Sequence, residues 1–172
     1  MTSHSNGPSA PGVHGGPDRI KVGVAELAVA TAGETLTTSG LGSCVAVALH
    51  DERAGVRGLL HAMLPAQADG SPGRAPVAKY VDTGIADLLD ALSAAGVTPA
   101  RLDARLVGGA KLIDVAGGSV GRRNVEAAQA VLRNHSIPVV ASDVGGETGR
   151  TVRFEAEGRL RVRAADGFER VL

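Results

Sequence analysis

The 172-residue sequence has no tryptophan, one tyrosine and two phenylalanines. Without several exposed rings it has no stacking platform for nucleic-acid bases, and its core has to be built from Val, Leu, Ile and Ala. Neither sign of charge is in excess, because Lys+Arg and Asp+Glu both number 18. That balance excludes the global basic field that draws nucleic acid or an anionic membrane. No apolar run approaches the roughly 20 residues that cross a bilayer as a helix, and Met1–Gly16 has neither the basic nor the apolar region of a signal peptide. Cys44 is the only cysteine, so no intramolecular disulfide can form, and a lasting free thiol points to a reducing compartment. A cytoplasmic protein without direct membrane insertion is expected.

Residues 1–17, rich in Gly, Pro, Ser and His, have almost nothing to bury and are expected to form a disordered tail; His4 and His14 lie in it. Residues 18–172 fit a single domain. Strand-like pieces begin at Ile20, at Leu27–Ala30 and at Thr35–Ser39, ahead of the turn Gly40-Leu41-Gly42-Ser43. CVAVALH (44–50) and VRGLLHAML (56–64) read as a hairpin around a turn at 51–54. A polar Pro/Gly loop at 65–77 precedes Val81, Ile85, Leu88, Leu89 and Leu92, whose spacing predicts a helix over 79–95 ending at Gly96. A strand at 101–107 runs into Gly108-Gly109. Asn124 is a candidate N-cap for a helix through Asn134. A strand at 137–144, a GGETGR loop and a closing hairpin over 151–163 complete the chain. Strands outnumber the two helices, so the class is α+β, with helices packed on a mostly antiparallel or mixed sheet.

A lone cysteine is most often a small buried hydrophobe, but the surroundings of Cys44 suggest more. Gly40 and Gly42 allow a tight turn whose backbone can approach a substrate and aim successive N–H groups at one point, an oxyanion site involving Gly42 and Ser43. If residues 51–54 form the loop, then His50 pairs with Gly55 and Cys44 with His61. Val45, Val47, Leu49, Val56 and Leu60 then share one face, while Cys44 and His61 meet on the other, with Cβ atoms about 4.5–5.5 Å apart. His50 lies on that second face but roughly 20 Å along the strand, out of reach of the thiol. A thiol beside an imidazole is a nucleophile with its base, and an imidazolium there is expected to lower the thiol pKa. Thr38, just before the glycine turn, can fix the imidazole tautomer, or it can be an ordinary strand threonine.

These residues carry a family resemblance. TSGLGSCVAVALHD and GLLHAMLP, followed in order by AKYVDTGI (78–85), LVGGAKL (106–112), Gly121-Arg122-Arg123-Asn124 and SDVGGETGR (142–150), resemble the chemoreceptor glutamine deamidase family, CheD. The likeness spans residues 20–165. It implies an α/β/β layered sandwich similar to the catalytic domains of deamidating toxins, and the conversion of receptor glutamines to glutamates. The family's cysteine, histidine and threonine fall on Cys44, His61 and Thr38. It also implies chemoreceptors and a CheC-type phosphatase as partners.

Other features carry less. GGETGRT (145–151) lacks the lysine and spacing of a phosphate loop, and no His or Cys pair has metal-ligand spacing, so no cofactor and no metal are expected. Arg122, Asn124 and Arg150 are candidates for the substrate groove, although arginines beside glycine loops are more often solvated or paired. Two rivals to a protein deamidase stand: an adaptor that binds receptors or the phosphatase without chemistry, and an amidase for small molecules. An open groove would favour protein substrates and a deep closed pocket small ones.

Overall fold

The computed structural model describes residues 18–67, 75–112, 114–115 and 118–172. The expected tail at 1–17 and most of the predicted polar loop lie outside these residues. Twelve strands and two α-helices are found among the described residues. They are β1 (Arg19–Lys21), β2 (Glu26–Ala30), β3 (Thr35–Leu41), β4 (Val45–Asp51), β5 (Val56–Ala62), α1 (Val81–Ala94), β6 (Asp103–Gly108), β7 (Asp114–Val115), β8 (Gly118–Ser119), α2 (Val120–Asn134), β9 (Val139–Val144), β10 (Arg150–Phe154), β11 (Leu160–Ala164) and β12 (Glu169–Val171).

The strands form two five-stranded sheets and one two-stranded ribbon. The first sheet runs β1-β3-β10-β11-β12 and the second β2-β5-β4-β6-β9, with β7 and β8 paired separately. Both large sheets are mixed, since β1/β3 and β6/β9 are parallel and their other pairs antiparallel. The second sheet is the middle layer. One of its faces presents Val45, Val47, Leu49, Val56 and Leu60 to the stripe Val81, Ile85, Leu88, Leu89, Leu92 of α1 and to Val125, Ala128 and Leu132 of α2. The other face presents Ala46, Ala48, Leu59 and Val107 to Leu36, Leu41, Val152, Phe154, Leu160 and Val162 of the first sheet. The outcome is the α+β, α/β/β layering the sequence led us to expect. Each fully buried aliphatic side chain in these two cores contributes about 1.5–3 kcal/mol.

Burial on both faces explains why every residue of β4 and β5 is inaccessible. Close helix packing is permitted by glycine in both layers: a Cβ on Gly58 would lie 2.8 Å from Leu88 Cδ1, and one on Gly84 2.9 Å from Leu60 Cδ1.

The β4–β5 register differs from the expected one by two residues. Asp51 pairs with Val56 and Ala46 with His61, so the loop is 52–55 rather than 51–54. Two local features move it. Asp51 stays in the strand and caps the loop, its Oδ1 accepting from Ala54 N at 3.0 Å and its carbonyl from Gly55 N at 2.9 Å. Gly55 adopts φ +68°, a left-handed conformation that suits the end of a turn and not a strand. A two-residue slip preserves the alternation of faces, so Cys44 and His61 remain on one side, as diagonal neighbours rather than direct opposites.

Asn124 is not an N-cap. Helix α2 starts four residues earlier, capped by Ser119, whose side chain accepts from Arg122 N at 3.4 Å. Strands β7, β8 and β12 are additional to the elements read from the sequence. None of the helices among the described residues is long and apolar enough to cross a membrane.

Candidate active site

His61 is fully buried near the end of β5, between the two sheets. Its Nδ1 lies 2.7 Å from Thr38 Oγ1, and the same hydroxyl lies 2.7 Å from Val22 O. A carbonyl only accepts, so the threonine proton is committed to Val22. Thr38 must then accept from His61, which places the imidazole proton on Nδ1 and a lone pair on Nε2. That Nε2 is buried and has no hydrogen-bond partner among the described residues. Thr38 is itself 1 % exposed, held by its inward position in β3. The sheets therefore meet at this hydrogen bond, Thr38 coming from one and His61 from the other.

Cys44 precedes β4 and is half-buried against the inter-sheet core that contains Ala46, Ala48 and Leu59. This is the face of the middle sheet that carries His61. The resting arrangement contains no hydrogen bond between thiol and imidazole. Burial pushes the Cys44 thiol pKa up, partly opposed by a hydrogen bond from its own backbone N–H. Burial alone pushes His61 below the ordinary histidine value. Both shifts run against the expected thiolate–imidazolium pair, because burial between the sheets disfavours the charged form of each group.

The turn ahead of Cys44 is clamped from one side. Gly109 N donates to Cys44 O and Ala110 N to Gly42 O, both at 2.8 Å. Gly108 (φ +108°) leaves no room for a side chain, since a Cβ would lie 2.3 Å from Cys44 O. The LVGGAKL segment is accordingly a backbone clamp for the cysteine turn. His50, at the far end of β4, packs edge-on to Phe154 with ring centroids 6.1 Å apart, away from Cys44 as expected.

The three groove candidates have different placements. Asn124 is fully buried on α2 and donates through Nδ2 to Ser43 O at 2.8 Å and Met63 O at 2.9 Å. Arg150 is also buried, donating to Gly145 O at 2.8 Å and facing Asp143 Oδ2 at 3.4 Å. Asn124 is a brace beneath the surface, whereas Arg150 joins these contacts to a place in the lining of an open groove with Gly40, Gly149 and Thr151. Arg122 is exposed, bonded to Glu126 at 2.9 Å, and lies on an open groove of about 560 Å³ with Gly109, Lys111, Ser119, Val125 and Gly145. Sequence reasoning did not find the clamp formed by Gly109 and Ala110. The paired glycines followed by a small residue were its only visible signal.

A middle sheet buried on both faces, with a cysteine turn and a tautomer-fixed histidine on one side, describes a layered α+β protein whose candidate site lies between its two sheets. The family model described as "CheD chemotactic sensory transduction" matches residues 63–164, and the chain belongs to the CheD family. It is 44% identical over 153 residues to the probable chemoreceptor glutamine deamidase CheD of Haloarcula marismortui, covering 87% of each chain. It is 43% identical over 158 residues to the chemoreceptor glutamine deamidase CheD of Halalkalibacterium halodurans, covering 89% of this chain and 98% of that one. Among solved structures, it is similar to Bacillus licheniformis hypothetical protein YfiH, with TM-score 0.45 and 14% identity over 68% of this chain and 49% of that one. Neisseria meningitidis protein NMB0706 gives TM-score 0.46 and 11% identity over 76% and 63%.

Proposed function

We propose that this protein deamidates glutamine side chains of chemoreceptors, with Cys44 as nucleophile, His61 as its base and Thr38 orienting that base. The observation that carries the proposal is the locked Thr38 hydroxyl. Bound to Val22 O, it leaves His61 Nε2 as an unoccupied acceptor on the cysteine side of the sheet. The curated names of the relatives supply the substrate class.

As the sulfur attacks the carboxamide carbon, its proton passes to His61 Nε2, and a C–S bond forms while the carbonyl oxygen takes the negative charge. The Ser43 and Cys44 N–H groups hold that oxygen. The C–N bond then breaks, His61 returns the proton to the departing nitrogen, and ammonia leaves a thioester. Water, giving a proton to His61, cleaves the thioester and releases glutamate and the thiol. Starting from neutral partners, the proton moves during attack, so charge develops only where the oxyanion donors and Thr38 can stabilise it. A binding partner of the CheC-phosphatase type belongs to the same proposal, supported by the family resemblance alone.

The test is mass spectrometry of receptor fragments incubated with wild-type protein and with Cys44→Ala. Amide-to-acid conversion is expected with the first and none with the second, while receptor binding by Cys44→Ala stays within about 1 kcal/mol of wild type. If wild-type protein binds receptors and leaves every glutamine intact, the adaptor function takes the place of the enzymatic one.

A further inference from the structure

Asn124 lies on a helix in the outer layer, yet it reaches the turn that carries the thiol and the segment that follows the strand of the imidazole. Its Nδ2 donates to Ser43 O, one residue before Cys44, and to Met63 O, two residues after His61. Two carbonyl acceptors at one end fix which atom of the carboxamide is nitrogen. The opposite atom, Oδ1, is buried and has no hydrogen-bond partner among the described residues. A side chain selected for packing alone would not bring an unpartnered oxygen into the core.

How α2 gets close enough is also visible. At Gly121, one turn before Asn124, a Cβ would lie 2.4 Å from Ala110 O and 2.6 Å from Gly109 O, so only glycine lets the helix sit against the 108–110 turn. Gly121 and Asn124 are three residues apart and share a helix face. The Gly-Arg-Arg-Asn motif therefore pairs a contact point with a brace.

The peptide units convert this brace into an orientation. In a trans peptide the C=O and the following N–H point in opposite directions, and the described residues contain no cis bond. Asn124 holds Ser43 C=O toward the helix layer, so the Cys44 N–H points the other way, toward the inter-sheet side where the thiol and His61 lie. Ala110 N holds Gly42 C=O at 2.8 Å, which orients the Ser43 N–H away from Ala110 in the same manner. Neither Ser43 N–H nor Cys44 N–H has a backbone acceptor among the described residues. The Ser43 N–H is thus left for a ligand, and the Cys44 N–H is engaged only by its own thiol, the group that leaves it when the sulfur attacks.

We infer that Asn124 is a positioning residue that aims the Cys44 N–H, one of two backbone donors for the oxyanion, by tethering the carbonyl of the same peptide. This inference rests on the proposed deamidation and assigns a role to a residue that touches no substrate.

The test uses full-length Asn124→Ala and the near-isosteric Asn124→Asp beside wild type, with three readouts. Receptor deamidation should lose at least tenfold in kcat, approaching the 10²–10³-fold known for losing one oxyanion donor, with KM within about threefold. Alkylation of Cys44 by iodoacetamide, which develops no oxyanion, should change by less than about threefold. A peptide aldehyde with its carbonyl at the glutamine side-chain position adds to Cys44 as a thiohemiacetal whose oxygen needs the same donors. Its Kd, read as protection against alkylation, should rise about tenfold or more. Alkylation falling in proportion to kcat would reveal general loosening and overturn the inference, as would an aldehyde Kd unchanged from wild type. The aldehyde readout decides the role of Asn124 whether or not wild-type protein deamidates receptors, whereas absent wild-type turnover overturns only the proposed function.

Discussion

Replacing Thr38 with valine removes one hydroxyl at nearly constant volume and probes the proposed site directly. Two groups lose their partner: Val22 O and His61 Nδ1–H, each now 2.7 Å from the hydroxyl oxygen. An unpartnered buried polar group costs about 1–3 kcal/mol, so roughly 2–6 kcal/mol is at stake before relaxation. The imidazole has one inexpensive escape, which is to move its proton from Nδ1 to Nε2. That relieves the stranded donor but fills the nitrogen that must accept the thiol proton. A preference of about 1.4–2.8 kcal/mol for the wrong tautomer leaves about a tenth to a hundredth of the molecules competent. With a receptor fragment as substrate and deamidation followed by mass spectrometry, Thr38→Val should lower kcat by about 10–100-fold with KM within about twofold. Thr38→Ser, which keeps the hydroxyl, should recover most of the loss. A Thr38→Val protein with kcat within about twofold of wild type would refute the assignment of Thr38 as orienting group.

Because burial raises the thiol and lowers the imidazole, Cys44 at neutral pH should alkylate more slowly than a free model thiol, and its rate should climb with pH beyond the range in which the model thiol has levelled off. Deamidation should persist to pH values below the ordinary histidine range before protonation of His61 stops it; an alkylation rate above the free thiol at pH 7 would instead demonstrate an ion pair. Arg57 is fully buried, donates to Phe154 O at 2.9 Å and Ala32 O at 2.7 Å, and sits four residues from His61 on β5. Arg57→Ala should destabilise the fold by about 2–4 kcal/mol in urea unfolding, through two orphaned carbonyls and a cavity, while leaving kcat of the folded protein within about twofold.

The site was legible in the sequence to the extent that strand alternation determines it. Cys44 and His61 fall on one face for any register that differs by an even number of residues, so the two-residue slip at Gly55 did not separate them. Thr38 could be placed only beside the glycine turn; its contact with His61 spans two different sheets, and no local pattern reports such a pairing. The same non-locality hid the second core. Ala46 and Ala48 look like a weakly apolar face in CVAVALH, but they are small because another sheet packs against them. Asn124 resembled a helix cap because Asn favours that position. Its distant partners, Ser43 and Met63, override the local preference. The third piece, the clamp of Gly109 and Ala110, is made of main-chain amides, which any residue but proline supplies and which side-chain identity therefore does not advertise.

The burial of β4 and β5 on both faces also bears on how this protein can be controlled. A strand enclosed by two cores exchanges its amide hydrogens only through openings that approach complete unfolding, so His61 has no low-energy route out of place. Control by a partner therefore has to act at the rim, on the 40–44 turn or the 108–112 segment against it, by covering those backbone groups or shifting them. Hydrogen exchange would show this as protection that changes at the rim while β5 remains silent.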